Sequence, residues 1–92
     1  MKSGKITKKC VITNNLGLHA RAAAKFVQIS SRFDSEVSVI RGGNEVDGKS
    51  ILDILSLGCL KGARIEIKAA GKDAIEAASA LEELINEKFG EE

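Results

Sequence analysis

Residues 6–23 read ITKKCVITNNLGLHARAA, and the hydrophobic period of this stretch changes halfway along. Up to Ile12, apolar residues alternate with polar ones, which predicts a strand with one buried face. The turn residues at 14–17 then break the alternation. After this turn, a helical spacing of three to four residues joins Ala23, Phe26 or Val27, Ser30 and Phe33, which predicts a helix of about four turns that ends near Phe33. His19 therefore lies at the joint between a strand and a helix, close to the helix N-terminus.

The same two periods organise the rest of the chain. Alternation predicts strands around 37–39, at 45–47 and at 65–69, with a hairpin turn at 42–44. Helical spacing predicts a short helix that begins after the N-cap residue Ser50, and a final helix over 74–88. The order β-α-β-β-α-β-α favours an α+β fold in which the helices cover one face of a sheet. We expect the tail, 90–92, to fray.

Composition predicts one small domain over residues 1–92, with function confined to its surface. The net charge is +1, aromatic residues are limited to three Phe, and the only basic concentration is Lys2, Lys5, Lys8 and Lys9. Nucleic-acid binding is therefore not expected, because it normally requires a basic stripe with stacking aromatics. No apolar run is long enough to span a membrane or to form a signal peptide, so we expect a cytoplasmic protein.

Two cysteines and one histidine do not make a metal site. Cys10 and Cys59 are far apart, there is no CxxC, and no second histidine completes a ligand set. Cys10 fits the buried side of a strand, whereas the pattern gives Cys59 no clear place. A disulfide between them stays open on sequence grounds, although a cytoplasmic location argues against it.

His19 combines two features that suit an anion. The start of a helix presents unpaired backbone N–H groups and the positive end of the helix dipole. Arg21 adds a permanent charge with a fork that matches phosphate oxygens. The alternative is a structural histidine, with Arg21 and Lys25 as ordinary solvent-facing residues.

Two segments resemble the HPr family, the histidine phosphocarriers of the phosphoenolpyruvate-dependent phosphotransferase system. Residues 14–23, NNLGLHARAA, resemble the family's active-site signature, and residues 48–58, GKSILDILSLG, resemble its regulatory-serine segment. The interval of 31 residues from His19 to Ser50 also matches. The likeness covers nearly the whole chain in the same element order.

The resemblance implies an open-faced β-sandwich, a four-stranded antiparallel sheet with three helices on one face. It also implies that Enzyme I phosphorylates His19 on Nδ1, that Arg21 steadies the phosphoryl group, and that an EIIA protein or domain receives it. Ser50 corresponds to the target of HPr kinase/phosphorylase in bacteria that have this enzyme. The resemblance implies a monomer that needs no metal and no cofactor, and that is a carrier rather than an enzyme.

Two details of the segments bear on partners and rigidity. The short helix has more apolar residues than one buried face needs, so we expect Ile54 and Leu57 to point inward. Ile51, Leu52 and Leu55 are then expected to be partly exposed and to form the partner-docking surface that the family places on this helix.

One position departs from the family, which usually has Pro where this chain has Ala22. Alanine preserves the helix and leaves the rigidity of the His19 loop in question.

Two other functions compete with the carrier. Residues 15–17 are similar to the nitrogen-related branch of the family, in which phosphorylation of a regulatory module signals to partner proteins. Retention of His19 favours the carrier. A hydrolase that uses His19 as a base lacks the second histidine, the nearby cysteine or the triad that such chemistry needs.

Overall fold

The computed structural model describes residues 4–91. Lys2 of the basic cluster and Glu92 of the tail lie outside this range. The elements are β1 (Gly4–Val11), α1 (Ala20–Ser30), β2 (Glu36–Arg41), β3 (Asn44–Asp47), α2 (Ile51–Ser56), β4 (Arg64–Gly71), α3 (Ala74–Asn86) and a single 3-10 turn (Lys88–Gly90). The predicted order β-α-β-β-α-β-α is confirmed.

The four strands form one antiparallel sheet in the order β1-β4-β2-β3. The inner strand β4 aligns Ile65 with Cys10 of β1 and Ile67 with Val39 of β2, and Val39 in turn aligns with Val46 of β3. Because side chains alternate across a strand, this register places most of the apolar residues of the four strands on the same face.

The three helices cover that face, and the core lies between the two layers. Phe26 of α1, Ile54 of α2, and Leu81 and Ile85 of α3 are fully buried there. The opposite face of the sheet is uncovered and carries mostly charged and polar residues. The α+β open-faced sandwich is therefore confirmed.

Helix α1 ends at Ser30, one turn earlier than its hydrophobic spacing predicts. The Ser30 hydroxyl is buried and donates a 2.8 Å hydrogen bond to the carbonyl of Gly48, in the segment that leads to α2. Phe33, which the spacing assigned to the helix, lies in the turn that follows and packs against the core from there. The prediction of a fourth turn was wrong because Phe33 reaches the core without it.

The segment 88–91 packs against the rest of the domain, so the expected fraying of residues 90 and 91 was wrong. Helix α3 stops at Asn86, and Lys88 and Phe89 then both take left-handed backbone angles, with φ of 58° and 57°. This reversal folds the Phe89 side chain into the core, where it is 1% exposed. A fully buried aromatic ring anchors the segment, and Glu91 follows it onto the surface near α1.

Both cysteines are free thiols, buried in the core. Burial raises the pKa of each thiol.

Over residues 4–91, no group of three or more histidine, cysteine, aspartate and glutamate side chains is arranged to hold a metal ion. The helices in that same range are all too short or too polar to cross a membrane.

Candidate functional site

The loop from β1 to α1 packs closely against the neighbouring loop and is hydrogen-bonded to it. Gly17 has a φ of +66°, and a β-carbon at this position would collide with the backbone carbonyl of Cys59. The same carbonyl accepts a 3.0 Å hydrogen bond from the N–H of Leu18. Asn14, fully buried, donates from Nδ2 to the carbonyl of Gly17 at 2.8 Å. These contacts fix the residue that follows, His19.

His19 is the N-cap residue of α1, which agrees with its predicted place close to the helix N-terminus. Its backbone is extended, with φ of −75° and ψ of 178°, and its side chain makes no capping hydrogen bond. The first helical bond runs from the N–H of Ala23 to the carbonyl of His19 at 2.8 Å. The N–H groups at positions 20–22 therefore have no helical acceptor, and the first turn has no acidic residue. An anion placed beside His19 meets free donors and the positive end of the helix dipole.

Two cations share a shallow surface pocket with the imidazole. The exposed side chain of Arg21 and the half-buried side chain of Lys25 both line it, together with Leu16 and the end of the chain. Lys25 is fixed by a 2.6 Å hydrogen bond from Nζ to the carbonyl of Phe89. Arg21 makes no side-chain hydrogen bond within residues 4–91, so its guanidinium is free to bind a ligand in the pocket. The sequence identified Arg21 and gave Lys25 no role.

A carboxylate from the end of the chain contacts the ring of His19. Nε2 of His19 is hydrogen-bonded to Oε2 of Glu91, and the other oxygen, Oε1, accepts a 3.0 Å bond from Nδ2 of Asn14. Hydrogen bonds from His19, and secondarily from Asn14, lower the pKa of the Glu91 carboxyl, so Glu91 is ionised at neutral pH. Sequence reasoning missed this contact. The two residues are 72 positions apart, and no local pattern joins them.

Ser50 caps α2 as predicted. Its backbone is extended and its hydroxyl accepts a 3.2 Å hydrogen bond from the N–H of Asp53. Ile54 and Leu57 are buried, as their predicted inward position requires. The other three apolar residues of the helix have the predicted partial exposure: Ile51 is 39% exposed, Leu52 is 78% exposed and Leu55 is half-buried.

Two further exposed leucines lie around the His19 loop. Leu16 lines the pocket and is 65% exposed, and Leu60, which is 72% exposed, follows the carbonyl on which the loop rests. The sequence placed Leu16 only as part of a turn, because a single apolar residue in a loop carries no periodic signal.

Comparison with known proteins gives one consistent family. A family model described as "PTS HPr component phosphorylation site" matches residues 6–87. A phosphocarrier protein HPr of Neisseria meningitidis serogroup A is 50% identical over 80 residues, which cover 87% of this chain and 90% of the relative. The crystal structure of an HPr from Thermoanaerobacter tengcongensis superposes with a TM-score of 0.88 at 45% identity, covering 97% of this chain and 98% of that one. An HPr from Bacillus anthracis has a TM-score of 0.85 at 36% identity, with coverage of 89% and 98%.

Proposed function

The chain belongs to the HPr family, the phosphocarrier proteins of the phosphotransferase system, and on that premise we propose that His19 receives a phosphoryl group from Enzyme I and passes it to an EIIA protein or domain. The protein acts in this relay as a cytoplasmic monomer, as one domain over residues 1–92, without a cofactor. It carries the group between enzymes and does not complete a reaction alone.

The single observation that supports this proposal best is the open N-terminus of α1 beside the imidazole. Nδ1 of His19 attacks the phosphorus of the Enzyme I phosphohistidine, and the donor nitrogen takes back the electron pair of the bond that breaks. The group transferred is a dianion, and the free N–H groups of 20–22 and the helix dipole stabilise it. Arg21 contributes paired donors and Lys25 a second positive charge within the same pocket.

For partner binding we assign the exposed side of α2, which carries Ile51, Leu52 and Leu55. Leu52 is 78% exposed, so a partner that covers its side chain binds more favourably because apolar surface is removed from water. Ser50 is the proposed regulatory site, open to an HPr kinase/phosphorylase. A phosphate on its hydroxyl lies at a helix N-terminus, so it favours the fold of α2 while it places a dianion beside the docking residues.

The proposal is tested with purified Enzyme I and phosphoenolpyruvate that carries a labelled phosphoryl group. The wild-type protein takes up label that acid removes, because phosphohistidine is acid-labile and phosphoserine is not. His19→Ala, which removes the only histidine, takes up none and keeps its fold. Ser50→Ala, the matched control, is labelled like the wild type. Acid-labile label on His19→Ala would refute the proposal.

The acceptor is tested in a second step. Wild-type protein labelled on His19 and separated from Enzyme I loses its label to a purified EIIA protein. Label that stays on His19 with every EIIA protein of the same cell would favour the alternative, a regulatory module of the nitrogen-related branch.

A further inference from the structure

The Glu91 carboxylate is hydrogen-bonded to Nε2 of the His19 imidazole and does not contact Nδ1. Oε2 accepts from the Nε2 side of His19, and no described residue bonds to Nδ1. An ionised carboxylate has no hydrogen to donate, so in the neutral ring the single hydrogen must lie on Nε2. The lone pair then lies on Nδ1. We infer that Glu91 is a positioning residue for phosphoryl transfer, which fixes the ring of His19 and its tautomer so that Nδ1 is the nucleophile.

Glu91 is itself held in place from two sides. Asn14 is fully buried in the His19 loop and donates from Nδ2 to Oε1 at 3.0 Å. On the chain side, Phe89 is buried in the core and its carbonyl accepts from Lys25 at 2.6 Å. The side chain of Glu91 is only 16% exposed, although it is the last residue that the structure describes. A carboxylate with so little freedom can orient a ring rather than merely pair with it.

The arrangement also supplies charge where the reaction needs it. This inference rests on the proposed function, in which Nδ1 forms a bond to phosphorus while the donor's N–P bond breaks. His19 keeps its Nε2 hydrogen during the step, so its ring gains a positive charge as Nδ1 donates its electron pair. The carboxylate of Glu91 faces that charge. The aspartate of a Ser-His-Asp triad acts on its histidine in the same way, by holding one tautomer and stabilising the imidazolium.

Glu91→Gln separates this role from mere packing, because a carboxamide of the same shape can donate as well as accept. With ¹⁵N-labelled protein at a pH where the ring is neutral, the nitrogen shifts of the only histidine report its tautomer directly. We expect the wild type to hold its hydrogen on Nε2, and Glu91→Gln to populate the Nδ1–H form as well. Transfer from Enzyme I should slow about tenfold, less than the ~10⁴-fold effect of a buried triad aspartate because this site is partly solvated.

Two further variants complete the test. Glu87→Gln removes a charge of the same sign from an exposed residue of the same segment, and its tautomer and rate should match the wild type. Glu91→Asp keeps a carboxylate and should recover part of the rate. An unchanged tautomer in Glu91→Gln, or a rate that is unchanged or faster, would overturn the inference. Failure of the wild type to accept label from Enzyme I would instead refute the proposed function.

Discussion

Helices α1 and α2 begin in opposite ways, although both present a helix N-terminus at the surface. At α2 the hydroxyl of Ser50 accepts the N–H of Asp53, and the acidic Asp53 itself lies in the first turn. At α1 the N-cap residue His19 makes no capping bond, and the first turn is free of acids. At α2 a side chain of the protein accepts a hydrogen bond from a first-turn N–H group, whereas at α1 the first-turn N–H groups have no such side-chain acceptor within residues 4–91.

Under the proposed function, this difference means that α1 gives up the stability of a side-chain cap and keeps its N-terminus open for the phosphoryl group. A serine cap contributes about 0.5–2 kcal/mol of stability, and α1 forgoes it. In the proposed reaction, a phosphoryl group on His19 meets backbone N–H donors that no side chain within residues 4–91 has taken. The charges differ in the same way: α1 itself carries Arg21 and Lys25, which line the His19 pocket, whereas Asp53 already complements the dipole of α2.

The largest effect is expected when the N-cap residue of α1 is replaced by serine, the N-cap residue of α2. His19→Ser places a capping hydroxyl at the N-cap, so the helix gains a hydrogen bond worth about 1 kcal/mol and the site loses its nucleophile. Uptake of acid-labile label from Enzyme I should vanish. The melting temperature should stay the same or rise, because the new capping bond offsets the lost hydrogen bond between residue 19 and Glu91. Both are measured on one preparation. Persistent acid-labile label would place the phosphate elsewhere, and a clear fall in melting temperature would show that α1 does not need a cap.

The next effect concerns the charge at the open start. Arg21→Lys keeps one positive charge but loses the paired donors of the guanidinium, so transfer should slow by about tenfold. Stopped-flow measurement of transfer from Enzyme I gives the rate. Arg32→Lys, the same change at an exposed residue beyond α1, should have no effect. Equal rates for Arg21→Lys and the wild type would remove Arg21 from the site.

A smaller effect is expected when a negative charge is placed at the N-terminus of α2, which Ser50 already caps. Ser50→Asp mimics part of the charge of phosphoserine, and a partner that covers Ile51 and Leu52 must then desolvate it. Binding to Enzyme I should weaken about fivefold, or ~1 kcal/mol, while His19 still accepts phosphate. Calorimetric titration measures the affinity, with Ser79→Asp on the exposed side of α3 as the control. Equal affinities would mean that α2 does not face Enzyme I.

The smallest effect tests how far the open start of α1 extends. Ala22 lies in the first turn, where its N–H has no helical acceptor, so Ala22→Pro should raise stability by about 0.4–1 kcal/mol through the unfolded state. Ala24→Pro, two residues further on, removes a helical hydrogen bond and should cost about 3 kcal/mol. Thermal unfolding compares the two. Since Ala22 is fully buried, a drop for Ala22→Pro would show that the core has no room for the ring.

Local pattern was sufficient to predict the element order, the place of His19 at the start of α1 and the cap at Ser50. Each of these depends on residues within a few positions of one another. The end of α1 was not predictable from hydrophobic spacing, because Phe33 packs against the core from the turn after the helix and Ser30 bonds to Gly48, 18 positions away. The contact between His19 and Glu91 is the extreme case. Nothing near Glu91 in the sequence marks it as more than a charged tail, and only the buried Phe89 brings it to the site.

Pairing between β1 and β4 determines when a newly made chain can complete its sheet. Partners in this ladder are 53 to 67 residues apart, from Val11 with Arg64 to Gly4 with Gly71. During synthesis β1 leaves the ribosome early and waits without its neighbour until β4 emerges, and closing so long a loop is slow. His19 follows β1 in the chain, so it is synthesised long before the strand that completes the sheet beside its loop. Glu91 arrives later still, and the pocket is complete only after the whole sheet has closed.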